Sequence, residues 1–270
     1  MKRPCQLVRD MRSIMSLCFR RLQNLVYVQE DASAKALCSD YIFNKWTRVY
    51  LYHIRKTGGT SLNKMFLSLG ASGGEKNYKN IAKKMNHRVI DGDKVFVGWN
   101  KALLEGGAYF YGFSHIPAHD IHLPASTFKI TVFRDPVMRL FSHYKMLLEE
   151  SEKEAPSSWF KRESKWLCGS FADFAETLPR EHLLNQLYMF SPEFDVHDAL
   201  RRIHECHAVF MTENFDAGVE YITRQIGISL RPLHARKTAT PILLSGDDAA
   251  AVREMVQSEY ELLSRIALSN

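Results

Sequence analysis

The sequence predicts an α/β fold with a central, mainly parallel sheet flanked by helices. Short β-branched and aromatic runs at residues 48–54, 128–133 and 208–211 each stop abruptly at a loop. Helical periodicity follows each loop, where a hairpin would return directly as a strand. The run at 128–133 is dominated by apolar and β-branched residues, as expected of a strand covered on both faces.

Length and composition fit one large domain at residues 47–270 preceded by an N-terminal helical extension at 1–46. With 46% hydrophobic and 24% charged residues the chain can bury a sizeable core. The 36 Lys and Arg against 30 Asp and Glu leave +6, which suits an anionic cofactor or an acidic glycan and by itself does not separate these from nucleic acid. Five scattered cysteines, Cys5, Cys18, Cys38, Cys168 and Cys206, form no CxxC pair, so reduced thiols in a cytoplasmic compartment are expected. No stretch approaches the ~20 apolar residues of a membrane span, and charges stand where a signal peptide would be apolar. The expectation is a mature chain beginning near Met1. Ile14, Leu17, Cys18, Leu22 and Leu25 form a helical stripe with Arg12, Arg20 and Arg21 nearby. Such a stripe packs on a core, and its basic flank also suits peripheral contact with an anionic membrane surface.

After the first strand, Leu62, Met65, Phe66 and Leu69 share one helical face, and Gly70 stands where a left-handed cap would end that helix. Residues 71–94 are polar and read as an exposed excursion, with a short strand at 95–98. A further strand at 109–114 leads into His115. Pro136 suits a first helical turn capped by Asp135, and Leu140, Phe141, Tyr144, Leu147 and Leu148 supply its stripe. Residues 149–165 read as a charged mobile loop and 171–200 as mainly helical. Residues 215–226 form a helix capped by Gly227, and 245–268 form another that opens at Ser245 and Asp248.

The first strand-to-helix switch carries Lys56-Thr57-Gly58-Gly59-Thr60-Ser61. Gly58 and Gly59 let the backbone wrap an anion, the helix end adds its positive dipole, Thr57, Thr60 and Ser61 add hydroxyls, and Lys56 adds a charge. The arrangement predicts a P-loop-like three-layer fold. A nucleotide kinase or NTPase loop would place lysine after the glycines. Here lysine precedes them, and a metal-dependent phosphoryl transferase fits less well; a nucleotide-dependent kinase and a catalytically silent nucleotide-binding module remain as alternatives. The second switch reads Phe133-Arg134-Asp135-Pro136-Val137, with Arg139, Ser142 and Tyr144 following.

Together the run from His53 to Leu62 and the run from Phe133 to Tyr144 closely resemble the two donor-binding motifs of the carbohydrate sulfotransferases of the heparan sulfate 2-O-sulfotransferase-like group and their bacterial relatives. The resemblance covers residues 48–69 and 109–148. It implies that Lys56–Ser61 binds the 5′-phosphosulfate of 3′-phosphoadenosine 5′-phosphosulfate, and that Arg134 and Ser142 bind its 3′-phosphate. It also implies a glycan or polysaccharide acceptor, with nucleic acid not expected as a partner. The family usually has proline where Arg55 stands, which predicts a less rigid start to the loop. By the same resemblance Arg236 and Lys237 cover the nucleotide, and Asn185 and Gln186 line the acceptor cleft unless they merely face solvent on a helix.

Sulfuryl transfer needs charge stabilisation at the leaving phosphate, assigned to Lys56, and a base for the acceptor hydroxyl. His115 ends the 109–114 strand, where the resemblance also places the catalytic histidine. His119 is the substitute, His122 reads as a surface residue, and His53 packs or hydrogen-bonds beneath the donor. His204, Cys206 and His207 are metal-like in composition, but alternation points Cys206 and His207 to opposite faces, and no metal is expected.

Overall fold

The structure, a computed structural model, describes residues 31–39, 41–231, 233 and 243–268. Along the chain run β1 (Arg48–Tyr52), α1 (Gly59–Leu67), α2 (Gly74–Lys83), β2 (Arg88–Asp91), β3 (Lys94–Gly98), α3 (Lys101–Gly106), β4 (Tyr111–Ser114), β5 (Thr127–Phe133) and α4 (Pro136–Ser151). Short helices follow: α5 (Phe160–Glu163), α6 (Phe171–Thr177), α7 (Arg180–Leu183), α8 (Asn185–Tyr188) and α9 (Val196–Ile203). The chain closes with β6 (Ala208–Met211), α10 (Phe215–Ile226), α11 (Gly246–Met255) and α12 (Gln257–Leu268).

The six strands form one sheet in the order β2-β3-β4-β1-β5-β6. All neighbours are parallel except β2 with β3. Alternation along β1 sends Val49 and Leu51 to one face and Tyr50 and Tyr52 to the other. Each face has its own buried cluster. Leu62 and Phe66 of α1, Ile81 of α2 and Ile222 of α10 pack with Val49 and Leu51. Leu140 of α4, Phe174 of α6, Leu187 of α8, Ala199 of α9, Val252 of α11 and Leu262 of α12 pack with Tyr50 and Tyr52. Two helical layers therefore sandwich the sheet, as the sequence predicts.

The strand at 208–211 and the helix at 215–226, ended by Gly227 at φ 70°, stand where expected. Asp135 caps α4 by accepting the Met138 N–H, and Ser245 caps α11 by accepting the Asp248 N–H. Other expectations are corrected. Residues 71–94 contain α2 and β2; Ile81 and Asn77 are buried, and Arg88 to Asp91 pair antiparallel with β3, so a polar stretch is anchored through a few inward positions. The helix after the loop ends at Leu67, and Gly70 is not left-handed. What Gly70 supplies is room, since a Cβ there would lie 2.4 Å from Asp91 Oδ2. The segment 149–165 is largely anchored: α4 runs on to Ser151, and buried Glu150 accepts hydrogen bonds from Lys153 and Ser157. The C-terminal helix divides at Val256 into α11 and α12.

Residues 31–38 are helical. Ala34, Phe43 and Trp46 are buried against the same two clusters, so the described part of 31–46 is packed on the main domain. The stripe from Ile14 to Leu25 lies outside the described residues, as do Arg236 and Lys237. No described helix is long and apolar enough to cross a membrane.

Candidate functional site

The chain leaves β1 towards β2 and β3 on one side, and leaves β5 towards β6 on the other. In an open α/β sheet such a reversal opens a crevice beyond the carboxyl ends of the two strands, where ligands bind. The loop 55–61 follows β1, Arg134 follows β5, and His115 follows β4 on the other flank of β1. Three separate sequence signals thus end on three adjacent parallel strands.

The loop is built as a cradle. Lys56 has φ 69° and Gly58 φ 84°, so a left-handed residue precedes the helix twice, once at a side chain that tolerates it poorly. Gly58 is the N-cap of α1 and brings no side chain to cover the helix end. The first helical N–H groups therefore point beyond the helix towards this loop. Gly59 is required for a different reason: a Cβ there would lie 2.2 Å from the His53 ring. His53, buried, sits beneath the loop, with Nδ1 3.3 Å from Asn63 Nδ2. The Thr57 hydroxyl donates to the Ile54 carbonyl at 3.0 Å and is buried, so it braces the loop and is not turned to a ligand. That leaves Thr60 and Ser61 as the hydroxyls of the predicted set whose side chains are partly exposed.

The Arg134 side chain reaches the backbone of Lys56. Arg134 Nη1 donates to the Lys56 carbonyl at 3.2 Å. Lys56 Nζ lies 3.3 Å from Met146 Sδ on α4. Ser142 is one helical turn before Met146 on the same face of α4 and is buried at 9% exposure. Burial lowers the Arg134 pKa, Glu213 and Asp135 oppose the shift, and the guanidinium remains charged. Two acidic residues also reach these strand ends. The Asp135 carboxylate is engaged by the Met138 N–H and the Tyr260 hydroxyl, and Glu213 accepts the Asp135 N–H at 3.4 Å.

His115 Nδ1 lies 2.5 Å from the His53 carbonyl. A carbonyl only accepts, so Nδ1 carries the hydrogen and Nε2 is the basic nitrogen. His115 is an exposed residue, yet the surrounding protein desolvates the ring and takes its pKa down to about 4, with the Arg55 charge acting the same way. Solvent contact tempers that depression, and the ring is neutral at neutral pH. His119 is held beside Tyr188 with its Nδ1 buried and without a hydrogen-bond partner, and His122 is exposed as predicted.

Arg55 does not leave the loop loose. Its guanidinium forms a two-pronged pair with Glu163 at 2.8 and 2.8 Å, and its N–H donates to Asn185 Oδ1 at 3.3 Å. Buried His143 donates from Nε2 to Glu163 at 3.0 Å. Burial alone would raise the Glu163 pKa, but hydrogen bonds from His143 and Arg55 and the Arg55 charge bring it to about 2. Burial lowers His143 to about 4, so it donates as a neutral ring while Arg55 balances the carboxylate.

Gln186 neither lines an acceptor cleft nor faces solvent. Fully buried, it accepts the Arg134 N–H at 2.8 Å and donates to the Arg134 carbonyl at 3.0 Å. Behind it stands Glu259, also fully buried. Glu163, Thr212 and Glu259 escape the sequence reading because each is a single residue remote from both motifs, and His143, inside the second motif, escapes it because its partner Glu163 is 20 residues away. The one signal for Glu163 is a charged residue close to Phe160 and Trp166, both buried.

His204 is exposed, and His207 Nδ1 accepts the Lys129 N–H at 3.0 Å. No cluster of metal-ligating side chains occurs among the described residues. Pockets of about 570 Å³, bordered by Tyr41, Phe43 and Phe110, and about 560 Å³, bordered by Arg88 and Asn100, contain none of the predicted site residues. In comparisons with known proteins no family model matches the chain, and no curated protein matches it.

Proposed function

We propose that this chain is a sulfotransferase of P-loop-like architecture, transferring a sulfuryl group from 3′-phosphoadenosine 5′-phosphosulfate to a hydroxyl of a carbohydrate or glycan. One observation carries the reading: the Lys56–Ser61 loop and Arg134 meet at the ends of adjacent parallel strands, with Arg134 Nη1 3.2 Å from the Lys56 carbonyl. A glycine cradle at a helix end and an independent arginine suit two anionic groups of one nucleotide.

The donor supplies a sulfuryl group activated by its 5′-phosphate. The amino end of α1 and Lys56 hold the negative charge on that phosphate, Thr60 and Ser61 add hydroxyl donors, and Arg134 with Ser142 holds the 3′-phosphate. Arg134 exchanges its contact with the Lys56 carbonyl for phosphate oxygens. His115 accepts the acceptor's hydroxyl proton at Nε2 while the His53 carbonyl holds the ring through Nδ1. Placement of lysine ahead of the glycines favours this reading over an ATP-dependent kinase.

The test is incubation of the chain with donor labelled in its sulfuryl group and a panel of neutral and acidic glycans. Label should pass to a glycan hydroxyl, and Lys56→Ala should abolish transfer. Phosphoryl transfer from ATP with Mg²⁺, or binding of the nucleotide with no transfer to any acceptor, would overturn the proposal.

A further inference from the structure

The ladder between β1 and β5 ends at Tyr52 and Thr131, before either strand reaches its site residues. Beyond that pair the backbone ladder no longer fixes the distance from the loop to Arg134, and side chains take over. Thr212, which follows β6, places Oγ1 2.9 Å from the Thr57 carbonyl and 3.0 Å from the Phe133 carbonyl, sharing its one hydrogen between them. On the other side the adjacent residues Asn185 and Gln186 reach one end each: Asn185 Oδ1 accepts the Arg55 N–H at 3.3 Å, and Gln186 brackets the N–H and carbonyl of Arg134.

The Gln186 amide cannot turn over. Glu259 Oε2 accepts from Gln186 Nε2 at 3.0 Å, and a carboxylate accepts only, so Nε2 faces Glu259 and Oε1 faces the Arg134 N–H. Glu259 also accepts the N–H groups of Gln186 at 2.7 Å and Leu187 at 3.3 Å, with buried Arg139 Nε 3.8 Å away. A fully buried carboxylate is costly unless its hydrogen bonds and a counter-charge compensate. Here those hydrogen bonds converge on the residue that grips Arg134.

From this geometry we infer that Gln186 and Thr212 are positioning residues: they set the separation of the two anion-binding strand ends, and with it a preference for a 3′,5′-bisphosphorylated nucleotide over a 5′-monophosphate. The inference rests on the proposed nucleotide site and deepens it. Neither residue touches the nucleotide; each acts through the backbone of Thr57, Phe133 or Arg134.

Calorimetric titration of the whole chain with 3′-phosphoadenosine 5′-phosphate and with adenosine 5′-monophosphate tests it. Thr212→Val keeps the side chain's size and removes its hydroxyl, while Thr212→Ser restores the hydroxyl. The ratio of the two Kd values should shrink at least ~5-fold in Thr212→Val, about the worth of one hydrogen bond, and stay within ~2-fold of the parent in Thr212→Ser. Gln186→Met should shrink it further if that variant folds; Thr212→Val does not depend on that. A Thr212→Val protein with a lowered unfolding midpoint but an unchanged ratio would make Thr212 merely structural and overturn the inference. A parent chain with no preference for the bisphosphate would instead defeat the nucleotide site itself, and the inference with it.

Discussion

At the scale of single residues, the proposed proton transfer depends on which nitrogen of His115 is basic. The His53 carbonyl fixes the hydrogen on Nδ1, and desolvation keeps the ring neutral at pH 7. His115→Ala should cost ~10²–10⁴-fold in kcat while leaving the donor Kd nearly unchanged, because a general base acts in the transition state. Steady-state rates and a binding titration on the same variant separate the two quantities, and a collapse of donor binding would make His115 structural. Because its folded pKa is depressed, the acid limb of kcat/KM should fall below the ordinary histidine value of 6.5. Residues inside the two motifs were legible in the sequence because glycine, lysine and arginine have few reasons to stand together at a strand end. Thr57 was legible as a loop residue but not in its role, since the local turn that brings the Ile54 carbonyl to its hydroxyl has no mark in composition. Gln186 was misread because its partners, Arg134 and Glu259, are 52 and 73 residues away in the chain.

At the scale of elements, the start of the loop is fixed by an ion pair in place of a ring. Arg55, Glu163 and His143 tie the loop to α5 and α4, and the Arg55 and Glu163 side chains are 23% and 12% exposed. Glu163→Gln leaves a half-buried guanidinium without its counter-charge and should destabilise the fold by about 1–3 kcal/mol. Urea denaturation reads this as a lower midpoint at unchanged slope; an unchanged midpoint would mean that solvent already screens the pair. Helices with a caps-and-stripe signature could be located from sequence, α10 at both ends and α4 at its start, although α4 runs three residues beyond the expected loop boundary to Ser151. Segment 71–94 could not, because α2 buries only Asn77 and Ile81, one of them polar, and two inward positions do not stand out as an apolar stripe. The helices within 171–200 were expected only as a mainly helical stretch, and the capping box of α6 at Ser170 and Asp173 was not read.

At the scale of the whole molecule, three groups near the site make acid stability a readout of the site. Burial takes His143 to about 4 when folded against 6.5 when unfolded, and His115 is depressed in the same direction, so the unfolded chain binds more protons and stability falls as pH drops below 6.5. Glu163, also depressed, continues the loss between pH 4.5 and about 2. The buried His143 contributes about 3 kcal/mol at most, and the exposed His115 less. Denaturation midpoints measured from pH 8 to 4 should decline below 6.5; a flat profile would mean the rings are not desolvated. The sandwich of helices about a mainly parallel sheet was readable from the β-then-α rhythm. The strand order was not, because nothing local in the sequence says that β5 passes β4 to lie against β1. That adjacency brings the two motifs together at the proposed nucleotide site. The most direct test is calorimetric binding of 3′-phosphoadenosine 5′-phosphate and adenosine 5′-monophosphate to the parent chain and to Arg134→Ala. Arg134→Ala should weaken the bisphosphate by about ten- to a hundredfold and leave the monophosphate unchanged. Equal weakening of both nucleotides, or no binding of the bisphosphate to the parent chain, would contradict the proposed site.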